Sequence, residues 1–274
     1  MDKYKVCVAQ TTSYKDGKDY NLRRAGEMIK EAAENGAALI AFPEMYLTGY
    51  TASRRIFDLC EVADGPSFEV IAGYAAENGI HVAYGYPECR SSEGESGSAV
   101  GAVYNSMNFI SDKGELIGTY AKSHLFAGEQ INFTPGNEFK VYDTDLGRVG
   151  LLVCYDLEFP EPARRLGVRG AEVIIAISAN MGPYDNIHEH FAQSRAMENG
   201  AFLVYSNYTG SDNRFTYVGR SGVYAPDGSL HCGSSERAEE LIYADVDLEQ
   251  ARNIPEDIDY LKYISDEERE LYLK

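Results

Sequence analysis

The sequence predicts an α/β fold, and three observations carry that prediction. Short continuous apolar runs, Ala37 to Phe42, Val149 to Val153 and Val173 to Ser178, have the composition of strands covered on both faces. Segments with helical spacing lie between such runs and end on a glycine, the usual left-handed cap. The 274 residues, 44% hydrophobic, suffice for a sizeable core, and no linker divides them.

Taken in order, Tyr4 to Ala9 alternates as a first strand, with Cys7 expected in the core. Asp19 to Asn35 carries Leu22, Ala25, Met28, Ile29, Ala32 and Ala33 at helical spacing, with Gly36 as cap. Ser67 to Asn78 is a second helix, capped by Gly79. Ile80 to Tyr86 is a strand, whose His81 reads as a core or edge residue. The low-complexity stretch Ser91 to Gly97 reads as a surface loop. Val100 to Ser111 and Glu115 to Ala121 form a hairpin around Asp112-Lys113-Gly114. Glu138 to Thr144 pairs with Arg148 to Val153 across Gly147, and a short helix spans Glu161 to Arg169. Ile187 to Asn199 is a helix capped by Gly200, and Phe202 to Asn207 is a strand. A late hairpin turns at Pro226-Asp227-Gly228, and Leu241 to Val246 is the last strand. From Glu249 the chain is charged and Tyr-rich, a tail expected to lie on the body or on a partner.

Composition narrows the function. A formal net charge of −18 repels phosphate backbones and disfavours nucleic-acid binding. There is no membrane-spanning apolar run, and Met1-Asp2-Lys3-Tyr4 opens straight into a strand pattern, so a cytoplasmic protein is expected. Five scattered cysteines without a C-x-x-C pair argue against a disulfide framework or structural zinc. His188 and His190 fall about 200° apart on a helix, so they cannot share one metal there.

Three strand ends each present one reactive group. Cys154 follows the run ending at Val153, where a strand-to-helix turn pushes a side chain into a cleft beside backbone N–H groups. Equally, it fits a buried small hydrophobe. Glu44 follows a buried strand and Pro43; desolvation there raises a carboxylate pKa toward that of a general base, unless the residue merely opens a surface loop. Lys122 stands just past another strand end and reads either as an ammonium inside a cleft or as a solvated loop lysine. His124 and Glu129 lie in the same loop.

The contexts Phe-Pro-Glu44, Tyr-Ala-Lys122-Ser-His-Leu and Leu-Val-Cys154-Tyr-Asp-Leu-Glu-Phe-Pro-Glu closely resemble the nitrilase superfamily of carbon–nitrogen hydrolases. Glu129, Phe133-Thr-Pro-Gly136, Ser206-Asn207-Tyr-Thr-Gly210 and Gly219 to Gly228 also look like blocks of that family. The likeness runs from about Tyr4 to Val246, giving a hydrolase domain over residues 1–246 and a tail over 247–274. The resemblance implies a four-layer α-β-β-α sandwich, a homodimer or higher homo-oligomer, and a mechanism without cofactor or metal. It implies Cys154 as nucleophile, with Lys122 lowering the thiol pKa by about 1–3. Glu44 would take the thiol proton, pass it to the leaving amine and activate water against a thioester. Lys122 and the backbone N–H of Tyr155 would hold the oxyanion, and Glu129 would position substrate and Lys122.

The Cys-Tyr-Asp-apolar-Glu context looks most like aliphatic amidases acting on amino-amides or ω-amides, so a small-molecule amide is the expected partner. Glu158 either pairs with a substrate ammonium or caps the next helix or faces solvent. Asn180, Met181 and Tyr184 follow the next strand end and are expected in the pocket, as are Tyr46 and Tyr50. Alternatives are N-carbamoyl hydrolysis or nitrile hydrolysis by the same residues, a cysteine hydrolase with His124 as base, and a non-catalytic binding protein on the same fold.

Overall fold

Two six-stranded sheets meet face to face, and helices cover both outer surfaces. The computed structural model describes residues 1–274 apart from Ser13, Asp16, 91–100 and 235–236. The expected loop Ser91 to Gly97 therefore lies outside the described residues.

The first sheet is built from β1 (Lys3–Gln10), β2 (Ala37–Ala41), β3 (His81–Arg90), β4 (Ala102–Ile110) and β5 (Leu116–Ala121), with α1 (Lys18–Glu34), α2 (Ile56–Leu59) and α3 (Pro66–Asn78) between them. The second half comprises β6 (Val141–Thr144), β7 (Gly147–Val153), α4 (Pro160–Val168), β8 (Val173–Ser178), α5 (Ile187–Asn199), β9 (Phe202–Asn207), β10 (Gly222–Tyr224) and β11 (Leu230–Gly233). The last strand, β12 (Glu240–Asp247), returns to the first sheet and is followed by α6 (Leu248–Arg252) and α7 (Asp266–Leu273). The strand orders are β12-β1-β2-β3-β4-β5 and β11-β10-β9-β8-β7-β6. Each sheet has three parallel strands at its centre, β1-β2-β3 and β9-β8-β7, with antiparallel strands outside them.

The period-2 pattern of each strand decides the layers. Val6, Val8, Leu39 and Ala41 join the core between the sheets, together with Leu151, Val153, Ile175 and Ile177. Cys7, Ala9 and Ile40 point the other way, against Ala25, Ile29 and Ala32 of α1 and Ile71 and Ala75 of α3. Cys7 is fully buried, as expected, and burial pushes its thiol up to about 12. On the far side, Ala163 and Leu166 of α4 and Ala192 and Ala196 of α5 cover the second sheet. The result is the four-layer α-β-β-α sandwich that the motifs imply.

Element boundaries follow the sequence reading to within a few residues, and Gly79 and Gly200 take the left-handed cap conformation. β3 runs on through Arg90, past the expected end at Tyr86. The short helix α2 was not anticipated, because four residues carry too little periodicity to read. His81 is buried, with Nδ1 3.2 Å from the carbonyl of Ala38. In the tail, Leu248 enters the core, and Arg169 donates to the carbonyl of Leu273 at 2.8 Å, fastening α7 beside α4.

Candidate active site

Glu44, Lys122 and Cys154 come from three different strand ends, and the fold brings them to one place. Glu44 lies beyond β2, Lys122 directly follows β5, and Cys154 directly follows β7 of the other sheet. The first two side chains are fully buried. Lys122 Nζ donates to Glu44 Oε1 at 2.7 Å and to Glu129 Oε1 at 3.0 Å.

Local backbone geometry places each group. The chain turns sharply after Glu44, with Met45 at φ 53°. Gly85 of β3 allows that turn to pass: a Cβ there would lie 2.3 Å from the Met45 nitrogen. Lys122 is held on both sides, its N–H donating to the carbonyl of Asn105 and its carbonyl accepting from Gly136, each at 2.8 Å. Gly136 fits because a Cβ would meet the Ala121 carbonyl oxygen at 2.2 Å. Glu129 sits on a single 3-10 turn, Ala127–Ile131, and its Oε2 accepts from the backbone N–H of Phe126 at 2.7 Å. Cys154 opens another 3-10 turn, Cys154–Glu158, and has φ 51°. A non-glycine residue in that region is strained by about 1–3 kcal/mol and is held there by its surroundings.

The buried cluster contains residues that the sequence reading did not single out. Asn105 Nδ2 donates to Glu44 Oε1 at 2.7 Å and to Glu129 Oε1 at 3.3 Å. Tyr50, which the sequence reading did place in the pocket, donates to the same Glu129 oxygen at 2.9 Å. Glu44 Oε2 is buried and accepts no hydrogen bond among the described residues. Asp156, fully buried, ties the nucleophile turn to the lysine loop. It accepts from Tyr120 Oη at 2.9 Å, Ser123 Oγ at 2.6 Å, the N–H of His124 at 2.8 Å and the N–H of Val153 at 3.3 Å. Its place two residues after Cys154 was the available signal. For Asn105, the signal was polar Asn105, Ser106 and Asn108 within a strand buried on both faces, where each needs a partner.

Electrostatics corrects one expectation. Burial pushes the Cys154 thiol well above its ordinary range, and the charge of Glu44 adds to this; Lys122 pulls down as anticipated but does not prevail. Two carboxylates face one ammonium, so the local field opposes a thiolate. Lys122 is driven down by burial but ends well above its usual value because the Glu129 and Glu44 carboxylates surround its ammonium. Burial, then the charge of Glu44, raise the Glu129 carboxyl against the pull of Lys122.

Cys154, only partly buried, opens into a cavity of about 210 Å³. The expected pocket residues Tyr50, Tyr155, Glu158, Asn180, Met181 and Tyr184 all line it. Tyr46 does not; it is buried in the helix-side core, its hydroxyl donating to the carbonyl of Asn21 at 3.1 Å. The Asn180 side chain is engaged within its own loop, accepting from Met181 N–H at 2.9 Å and donating to the Tyr184 carbonyl at 3.1 Å. His124 lines a separate recess with Phe133 and Phe159, stacked on Phe159 at 4.0 Å, with Nδ1 3.0 Å from Asp156. His188 and His190 share no metal-type cluster: among the described residues no group of three His, Cys, Asp or Glu is arranged to hold an ion. No helix among them is long and apolar enough to cross a membrane.

Comparison with known proteins agrees with this geometry. A hydrolase in the pqqF 5′ region of Pseudomonas protegens is 37% identical over 92% of this chain and 85% of its own length. An (R)-stereoselective amidase of a Pseudomonas species is 32% identical over 89% of this chain and 85% of its own. Among solved structures, a mutant of the amidase from Nesterenkonia sp. AN1 superposes with a TM-score of 0.83 at 25% identity, covering 98% of this chain and 97% of that one. That structure shows covalent addition of the acetamide moiety of fluoroacetamide at the active site cysteine. The sequence model described as carbon-nitrogen hydrolase matches residues 5–256, past the anticipated boundary at Val246 and through α6. With nearly the whole chain matched, and the motifs gathered at one cavity, this protein belongs to the carbon–nitrogen hydrolase family.

Proposed function

We propose that this protein hydrolyses a linear aliphatic amide to a carboxylate and ammonia through a thioester on Cys154. The observation that carries the reading is that Cys154 lines a cavity while the charges of the buried Glu44 and Lys122 act on its thiol. Its surroundings push the Cys154 thiol up, so attack requires a base. Glu44 takes the proton as sulfur adds to the amide carbon, its unpartnered Oε2 being the free acceptor. The carbonyl oxygen becomes an oxyanion, stabilised by Lys122 Nζ and the Tyr155 N–H. Collapse expels the amine, which leaves as ammonia with the proton from Glu44. Glu44 then takes a proton from water, whose oxygen attacks the thioester; the C–S bond breaks, the acid leaves, and Glu44 returns the proton to the Cys154 sulfur. Glu129 and Asn105 hold the ammonium and Glu44 in register throughout.

The names of the amidase relatives support amide hydrolysis. The family resemblance also supports a homodimer or larger homo-oligomer, and we propose a cytoplasmic location. Intact-mass spectrometry on enzyme mixed with candidate amides tests the reaction. A covalent acyl mass that maps to Cys154 and is missing from Cys154→Ala is expected. Adducts and turnover with nitriles alone, or carbon dioxide release from N-carbamoyl compounds alone, overturn the amide assignment.

A further inference from the structure

Among the described residues, the cavity beside Cys154 carries one formally negative side chain, Glu158, and neither lysine nor arginine lines it. Lys122 does not offset Glu158 there, because its ammonium is buried and engaged by Glu44 and Glu129. We propose that Glu158 is a specificity residue for a protonated amine, so that the preferred substrates are amides bearing an ammonium group rather than neutral or carboxylate-bearing amides. This rests on the amidase reading and names its substrate class.

The carboxylate is held in position. His188 Nε2 lies 3.2 Å from Glu158 Oε1, while His188 Nδ1 lies 2.9 Å from Tyr205 Oη and 3.0 Å from Ser178 Oγ. An ionised carboxylate only accepts, so the Glu158 contact calls for Nε2–H and leaves Nδ1 to accept from the neighbouring hydroxyls. The ring then presents Nε2–H to Glu158. Only one carboxylate oxygen is used; Oε2 has no protein partner among the described residues. The Glu158 side chain is 25% exposed, enclosed enough to be directional. Arg195 fixes the backbone beneath it, donating to the carbonyls of Leu157 at 3.0 Å and Glu158 at 3.2 Å.

The rest of the wall suits a cation. Tyr155, Tyr184 and Phe126 share the cavity, with Phe126 5.3 Å from Tyr155 and 6.2 Å from Tyr184 between ring centroids. Such ring faces attract an ammonium and not a carboxylate. A second link runs inward: Ser178, whose hydroxyl meets His188, also accepts at its carbonyl from the Glu44 N–H at 3.3 Å, so the catalytic carboxylate and the ammonium acceptor are fastened to one scaffold. The net charge of −18 further favours approach of cations.

The test is a series of ω-amino amides from glycinamide to 5-aminopentanamide, each paired with its neutral isostere, with glutaramate as the anionic member. For the best-fitting chain length, kcat/KM for the cationic amide exceeds that of its neutral isostere by at least tenfold, and glutaramate is poorest. Glu158→Gln lowers the cation-to-neutral ratio by about 10- to 100-fold, the worth of a charge-assisted hydrogen bond. His188→Ala, which unties Glu158 without removing its charge, raises KM for the cationic amide more than for the neutral one. A wild-type ratio near one at every length, or a ratio unmoved by Glu158→Gln, overturns the proposal. Calorimetric binding of the same amino amides to Cys154→Ala, with and without Glu158→Gln, separates the two levels. Glu158-dependent binding without turnover of any amide would keep the ammonium site and reject the amidase reading.

Discussion

Replacing Glu44 by Gln should move turnover and thiol reactivity in opposite directions. The substitution keeps the shape and retains an acceptor for Lys122 Nζ and Asn105 Nδ2, both 2.7 Å from Glu44 Oε1. It removes one negative charge from the buried cluster. Losing a general base lowers turnover by about 10²–10⁴-fold. The resting thiol behaves otherwise, because the charge of Glu44 stands second only to burial in raising it. Removing a close like charge lowers a pKa by about 1–3. A fall of about 1–2 raises the thiolate fraction at pH 8 by roughly 10- to 100-fold. A less basic thiolate is a weaker nucleophile, with a Brønsted slope of about 0.4–0.5, so the net gain in alkylation rate is about 3- to 10-fold. The assay is iodoacetamide labelling at pH 8, followed by peptide mapping of Cys154 beside amide turnover. In the wild type, labelling should continue to climb with pH beyond the range of a free cysteine, since a raised pKa postpones the thiolate. Slower labelling of Glu44→Gln would mean that Glu44 already withdraws the proton in the resting enzyme, and the electrostatic account would be wrong.

Three further outcomes are expected. Gly85→Ala drives a Cβ to within 2.3 Å of the Met45 backbone nitrogen, so Glu44 must shift; kcat falls by about 10²-fold and stability by about 1–3 kcal/mol, read from initial rates and urea unfolding. Unchanged kcat would show that the close approach does not set the position of Glu44. Asp156→Ala strands buried donors from Tyr120 and Val153 as well as the loop N–H groups, and should cost about 3–5 kcal/mol in the same unfolding experiment; a loss below about 1 kcal/mol contradicts its place as a tie between the two sheets. His124→Ala should retain turnover within about tenfold, because His124 occupies a separate recess; loss of the acyl-enzyme burst would restore it as the base.

The reactive groups were legible because each stands where an apolar run stops, and a side chain at that point has few directions to take. Phe42-Pro43-Glu44 and Val153-Cys154 announce themselves in this way. What could not be read was the support. Gly85 looks like any glycine in a strand until the Glu44–Met45 backbone is found against it. Ser178 looks like the last residue of β8, yet its hydroxyl meets His188 and its carbonyl accepts from the Glu44 N–H. Such contacts depend on sheet-to-sheet distance, which no local pattern encodes. The thiol expectation failed for a related reason. Pairing Lys122 with Cys154 considers two groups alone, while burial and the charge of Glu44 outweigh the lysine.

The nucleophile and its base are carried by different sheets, and the seam between them is crossed by the Glu44 N–H, 3.3 Å from the carbonyl of Ser178. Neither half of the molecule therefore holds a working centre. A nascent chain with only one sheet assembled would be chemically silent, its sulfur unaided by Glu44 or Lys122. Catalytic competence arrives only when the halves close, which makes product release a sensitive gauge of inter-sheet closure during refolding.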